Sequence, residues 1–245
     1  MSRTPDFFPR PDVGPLDYGQ DVDAGVVARF FNAVYAWMAA GLGLTAAVAW
    51  WVSTQPELMR NIFRGPVIIV LVIAQLALVW MVAGSINRIG PTAATALFLL
   101  YAALNGVTLS VILLFYAHAL IATAFLVTAA MFGATSLYGF VTKRDLTSLG
   151  AYLFMGLVGI ILASVVSIFW HPTWMTVVIN YLGVAVFVGL AAYDTQRLKI
   201  IALQTQNDPA LAARMSISGA LSLYLDFLNL FLFVLSILGN GERRR

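Results

Sequence analysis

Ala191-Ala192-Tyr193-Asp194-Thr195-Gln196 and Leu223-Tyr224-Leu225-Asp226-Phe227-Leu228-Asn229 each set one carboxylate into an otherwise apolar run. Both belong to the stretch 174–239, which reads as two long helices joined at Asn207-Asp208-Pro209-Ala210. Proline is excluded from a helix interior but suits the first turn of the next helix, so the hairpin breaks there. Asp194 and Asp226 stand sixteen residues to either side of Ala210. At a rise of about 1.5 Å per residue, each lies on the order of 24 Å from the turn, so antiparallel neighbours can bring the two acids together. There is a difficulty: Asp194 is near the end of its apolar run and Asp226 near the middle of its own. The two meet only if the first helix continues beyond the lipid, or if one helix is tilted or displaced along its axis. A carboxylate within a bilayer is expensive, so it normally faces the bundle interior, finds a partner and marks a path for ions or protons.

The rest of the chain has the composition of a membrane protein. Its 245 residues are 61% hydrophobic and 10% charged, with a mean hydropathy of +0.88. A soluble domain of this size carries about 25% charged residues. Residues 1–28 hold Pro5, Pro9, Pro11, Pro15 and five aspartates among few apolar residues, which predicts a disordered cytoplasmic tail and not a signal peptide. A transmembrane domain is expected over 29–239, followed by a basic C-terminal tail, 240–245. Cysteine is absent, which excludes disulfides and thiolate metal sites. The net charge of +3 is no larger than the charge of Arg243, Arg244 and Arg245 together, and no case for nucleic acid follows from it.

Seven apolar segments can be drawn, over residues 30–52, 67–83, 92–116, 119–141, 149–170, from 174 past Asp194, and 215–238. Most have the 17–25 residues or so needed to cross a hydrocarbon core of roughly 30 Å. The expected fold is therefore all-α, with seven transmembrane helices surrounded by lipid. Basic residues in short connections set orientation. Arg88, Lys143, Arg144, Arg197, Lys199 and Arg214 fall on one side, and only Arg60 and Arg64 on the other. This six-to-two bias puts the N-terminus in the cytoplasm. The terminal arginines argue the other way. Glycines such as Gly133, Gly139, Gly156 and Gly183 allow close helix approach or simply reflect the frequency of glycine in membrane helices.

For Asp194 the plain alternative to a functional role is an interfacial carboxylate paired with Arg197, three residues on. Asp226 has apolar sequence on both sides, and Ser222 and Asn229, at four and three residues' distance, share its face and are expected to satisfy its oxygens. Two carboxylates a few ångströms apart resist ionising together and can share a proton. Fully ionised, they form a cluster of hard oxygens suited to Ca²⁺. Asn105, Thr108, Ser110, Asn180 and Gln75 are candidates to line the interior, or to bond backbone carbonyls; Asn105, Thr108, Ser222 and Asn229 are taken as pore-lining. Arg88 is the candidate basic partner at the cytoplasmic mouth, with a topogenic anchor as its simpler reading. His118 and His171 show no zinc-ligand spacing, and neither a nucleophile elbow nor a phosphate-binding loop occurs.

The segments around Asp194 and Asp226, with Asn105-Gly106-Val107-Thr108-Leu109-Ser110, resemble the signature segments of the Bax inhibitor-1 family in its bacterial branch. The similarity covers roughly residues 29–239. It implies a seven-helix bundle with a central C-terminal helix, and a pH-sensitive Ca²⁺ leak channel of the bacterial inner membrane. In that family the aspartates matching Asp194 and Asp226 form a hydrogen-bonded, pH-sensing pair, and an arginine for which Arg88 is the nearest match can latch to the first. The resemblance implies Ca²⁺ as transported ion, with no resident cofactor. A second reading is an interaction protein that modulates a membrane quality-control protease or another membrane protein, with the N-terminal tail as its candidate contact. An intramembrane aspartyl protease is disfavoured, because Asp226 lies in Leu-Tyr-Leu-Asp and not in a Gly-x-Gly-Asp context, so no enzymatic activity is expected.

Overall fold

In lipid, backbone N–H and C=O groups must find partners within the protein, and apolar runs free of internal proline meet this requirement as helices. The computed structural model describes residues 24–85, 89–170 and 173–242. Its helices are α1 Ala24–Ser53, α2 Pro56–Arg64, α3 Val67–Ser85, α4 Pro91–Leu109, α5 Ile112–Phe115, α6 His118–Val141, α7 Thr147–Trp170, α8 Thr173–Gln204 and α9 Pro209–Glu242. Among the described residues six spans are long and apolar enough to cross a membrane: α1, α4 with α5, α6, α7, α8 and α9. A seventh arises if α2 and α3, bent by 78° at their junction, count as one. The molecule is an all-α polytopic membrane bundle.

Two predicted segments differ from what the apolar runs imply. Residues 53–66 hold the helix α2, which sequence inspection passed over. Pro56 occupies its first turn, with Glu57 beside the helix N-terminus and Arg64 in its last turn, where each charge opposes the helix dipole. Met59 and Ile62 are buried against Val52, while Glu57 and Arg60 face outward and pair at 3.5 Å. A short amphipathic helix of this kind suits the membrane surface, near the exposed Trp50 and Trp51. The predicted segment 92–116 breaks at Ser110 and Val111, where Ser110 Oγ donates to Val107 O at 2.6 Å and its N–H to Gly106 O at 3.0 Å.

The polar turns behave as expected. Asp208 accepts the Leu211 N–H at 2.9 Å, and Pro209 is the first residue of α9, so the hairpin breaks at the predicted place. Asp145, two residues before α7, accepts the Thr147 N–H at 2.9 Å, and hydrogen bonds from the Thr147 side chain and backbone hold its carboxyl below the usual carboxylate range. α8 and α9 have 32 and 34 residues. At the usual rise they are about 48 and 51 Å long, well beyond a hydrocarbon core of about 30 Å. α8 is thus long enough to carry on past the lipid, one of the conditions under which its acid reaches that of α9.

α9 packs against α1, α4, α6 and α8, and more than half of its spanning window is buried, the largest share among the described spans. Two glycines fix the tightest approaches. A Cβ on Gly106 of α4 would strike the Thr45 carbonyl and Val48 of α1, and one on Gly139 of α6 would strike the Ala192 backbone of α8. Gly133, six residues before Gly139, has open space before it, so at that position the helix packing makes no demand for glycine.

Candidate functional site

The antiparallel register of α8 and α9 is set by contacts above and below the acids. Asn180 Nδ2 donates to Ser236 Oγ at 2.7 Å, and Gly183 faces the Phe233 ring. Nearer the turn, Leu198 covers Gly219. The Asn180–Ser236 and Gly183–Phe233 pairs both centre on Asp208 in the chain, and Asp194–Asp226 centres on Ala210, two positions away. In that register Asp194 lies opposite Ser222, so the two acids stand about one helical turn apart in height on neighbouring helices, near enough for their carboxyl groups to act on each other electrostatically. Arg197, one turn along α8, also acts on Asp194 by its charge, though the only ion pair within 4.0 Å among the described residues is Arg60–Glu57.

Asp226 is 5% exposed. Its neighbours in α9 point into the bundle. Tyr224, fully buried, packs edge-on against Phe98 and Tyr101 of α4, and its hydroxyl lies 2.6 Å from Thr45 Oγ1. Phe227 packs edge-on against Phe125 and Phe132 of α6. Asp226 Oδ2 has no hydrogen-bond partner among the described residues. The expected help from its own helix is not given: Asn229 Nδ2 donates to Leu225 O at 2.8 Å, the carbonyl one turn back. Ser222 is partly buried, with no hydrogen bond to the carboxyl among the described residues.

Asp194 is partly buried, and the polar residues that follow it on α8 bind α8 to its neighbours. Thr195, fully buried, donates to Ala191 O at 2.7 Å and meets Ser136 Oγ of α6 at 2.9 Å. Gln196 accepts the Leu146 N–H at 2.9 Å and donates to Arg144 O at 2.8 Å, clasping the α6–α7 connection. Lys199 Nζ donates to Phe140 O at 3.1 Å and lies 5.1 Å from the centre of the Phe140 ring, completing the free carbonyl end of α6. Sequence inspection assigned Lys199 to topology alone and gave Gln196 no role. Its one signal was position, directly after Asp194-Thr195.

The remaining candidates separate. Asn105 Nδ2 donates to Tyr101 O at 3.0 Å, within its own helix. Thr108 Oγ1 contacts the Leu104 and Asn105 carbonyls and accepts from Gln75 Nε2 at 3.1 Å, joining α4 to α3. Two cavities run along the α1–α6 side, of about 630 and 190 Å³, and both are walled by Leu42 and Phe227. Their walls are mainly apolar, and neither Asp194, Asp226, Asn105, Thr108, Ser222 nor Asn229 lines them. No group of three or more His, Asp or Glu residues able to hold a metal ion occurs among the described residues. Two carboxylates are also too few oxygens for the six to eight that Ca²⁺ takes. Arg88, His171, residues 1–23 and the terminal arginines lie outside the described residues.

A helical bundle of six or seven apolar spans, with one acid on each arm of its last hairpin, defines a polytopic membrane protein. The chain belongs to the Bax inhibitor-1 family, in its bacterial branch: the family profile described as "Inhibitor of apoptosis-promoting Bax1" matches residues 27–243. The chain is 49% identical to the inner membrane protein YbhL of Escherichia coli strain K12 over 209 residues, which cover 84% of this chain and 89% of that one. It is 41% identical to an uncharacterized protein of Borreliella burgdorferi over 217 residues, 88% and 93% of the two chains. With an uncharacterized membrane protein of Streptococcus pyogenes the identity is 37% over 224 residues, 87% and 93% of the two chains.

Proposed function

We propose that the chain is a pH-sensitive Ca²⁺ leak channel of the bacterial inner membrane, with Asp194 and Asp226 as its proton and cation sensor. It acts as a conduit, not a catalyst, and α9 is the axis of the bundle. The observation that carries the reading is two acids about one turn apart on the neighbouring helices α8 and α9, near enough to act on each other, with the buried Asp226 lacking a hydrogen-bond partner for Oδ2 among the described residues. Membership in the Bax inhibitor-1 family and the likeness to an inner membrane protein support it. On this reading the described conformation is shut, since the two cavities beside Phe227 have mainly apolar walls and neither acid lines them. Protonating one member of the pair lowers its charge from two negatives to one, which changes both its attraction for cations and the helix contact that it biases.

The test is Ca²⁺ flux into proteoliposomes of the purified protein across pH 6 to 8, with Mg²⁺ and K⁺ as controls. Asp194→Asn and Asp226→Asn keep the side-chain shape and remove ionisation. Each should alter the pH dependence of flux, and because a coupled pair titrates as a unit, the double variant should be much less than additive. A wild-type pH profile in both single variants, at normal folding and abundance, overturns the sensor. If Arg88 latches Asp194, Arg88→Ala raises basal flux at neutral pH; unchanged flux leaves it a topogenic anchor.

A further inference from the structure

α1 and α6 both pack on α8 and α9, and a seam runs between them. The larger cavity, of about 630 Å³, is walled by α1 and α6, with Phe227 of α9 beneath. The smaller one carries the seam past Phe227 to Trp50 of α1 and Phe125 of α6. From Ala28 to Trp50 the seam follows α1 for roughly 33 Å, about the thickness of a hydrocarbon core. Its bottom and its rims differ in exposure. Phe31, Phe132 and Phe227 are buried, whereas Ala39 of α1 and Gly133 of α6 are exposed, and a Cβ on Gly133 would meet nothing within 4 Å. The trough therefore opens sideways, toward lipid.

One end of the trough is closed and basic. The Phe31 and Phe140 rings meet edge-on there, 5.1 Å between centres, which brings Arg29 of α1 and Lys143, just beyond α6, to the same end. Both are exposed, as is Arg144. The acid beside them, Asp145, already accepts the Thr147 N–H. Asn32 and Tyr35 line the trough on the turns of α1 that follow Arg29 and bring an amide and a hydroxyl to this end. We propose that the α1–α6 seam binds one anionic phospholipid, with an acyl chain along the trough and the phosphate at Arg29, Lys143 and Arg144. The cavity volume lies within the range of roughly 300–1,000 Å³ usual for ligand sites. An apolar trough with a basic end fits a molecule that has a long tail and an anionic head, and arginine can grip phosphate oxygens through two N–H groups at once. A helix is about 10 Å across, too wide to lie between walls that touch through Phe31 and Phe140. The bound chain rests on Phe227, the residue after Asp226.

The test needs no ion flux and stands apart from the channel reading. The purified full chain is placed in nanodiscs of equal parts phosphatidylglycerol and phosphatidylcholine, then released for native mass spectrometry. Wild type should retain one phosphatidylglycerol per chain. Gly133→Leu fills the trough and should abolish retention while leaving the melting temperature unchanged, because its side chain enters open space. If that variant folds poorly, Ala39→Leu fills the trough from the opposite wall. Arg29→Gln and Lys143→Gln should each lower the preference for phosphatidylglycerol over phosphatidylcholine by about fivefold, the usual effect of one basic residue near an anionic membrane surface. Undiminished phosphatidylglycerol in a folded leucine variant overturns the site, as does equal retention of the two lipids by wild type or an unchanged preference in both glutamine variants. A dimer that Gly133→Leu dissociates would give the seam to a second copy of the chain and overturn the lipid site equally.

Discussion

The hydroxyl of Tyr224 on α9 lies 2.6 Å from the hydroxyl of Thr45 on α1, and Thr45 Oγ1 in turn is 2.9 Å from both the Gly41 and the Ala102 carbonyls. One buried oxygen thus ties three helices, two residues from the acid of α9. The arrangement is directional: tyrosine donates to threonine, and the threonine proton serves the carbonyls.

Tyr224→Phe should remove the first of these bonds and leave the others. Interhelical hydrogen bonds in membranes contribute about 1 kcal/mol, so a modest fall in the thermal midpoint in detergent is expected. Thr45→Val should cost more, since the Ala102 carbonyl and the Tyr224 hydroxyl both lose their partner. A double variant less destabilised than the sum of the two measures the coupling directly. Additive losses would show that the three groups do not act together.

Gly139→Ala and Gly133→Ala differ by six positions in one helix and should differ in outcome. The first drives a methyl group into the Ala192 backbone, an overpacking of the kind that costs about 1–3 kcal/mol. The second projects into open space and should be neutral or slightly stabilising, since alanine is the better helix former. Equal melting temperatures for the two variants would contradict the α6–α8 packing described above.

Gln196→Ala should free the connection between α6 and α7, because both of its hydrogen bonds end on Arg144 and Leu146 backbone. Lys143 and Arg144 lie in that connection, so limited trypsin digestion reports its opening. Faster cleavage there in Gln196→Ala, with little change in overall stability, is the expected result.

A reporter fused at Asp145 should be cytoplasmic, and one fused after His118 external, following the six-to-two distribution of basic residues. The reverse labelling would turn the bundle over and place the connection beside Asp194 near the opposite face.

What the sequence made legible follows from the scale of each signal. The long apolar runs and the Asp208-Pro209 break were readable because composition over twenty residues and a single proline each decide local structure. Asp226 stood out because a carboxylate amid leucine and phenylalanine has few innocent explanations. α2 was missed because nine residues containing two arginines and a glutamate show no apolar run, only a two-sided pattern that matters beside a membrane surface. The partners of the polar residues were missed for another reason. Asn229 and Asn105 turn to their own helix backbone, whereas Gln196, Lys199 and Tyr224 reach across to other helices, and residue type alone does not separate the two.

The 78° elbow at Gly65-Pro66 governs more than the shape of one corner. A chain that crosses a bilayer an even number of times ends on the side where it began, and one more crossing reverses it. With six straight spans present, that parity rests on α3 alone. Its 19 residues reach about 28 Å, enough to bridge the hydrocarbon only when the helix stands nearly upright. The amphipathic α2, packed on Val52 by Met59 and Ile62, supplies the arm against which α3 can stand. Two residues between two short helices therefore bear on which compartment every later loop faces, including the connection beside Asp194.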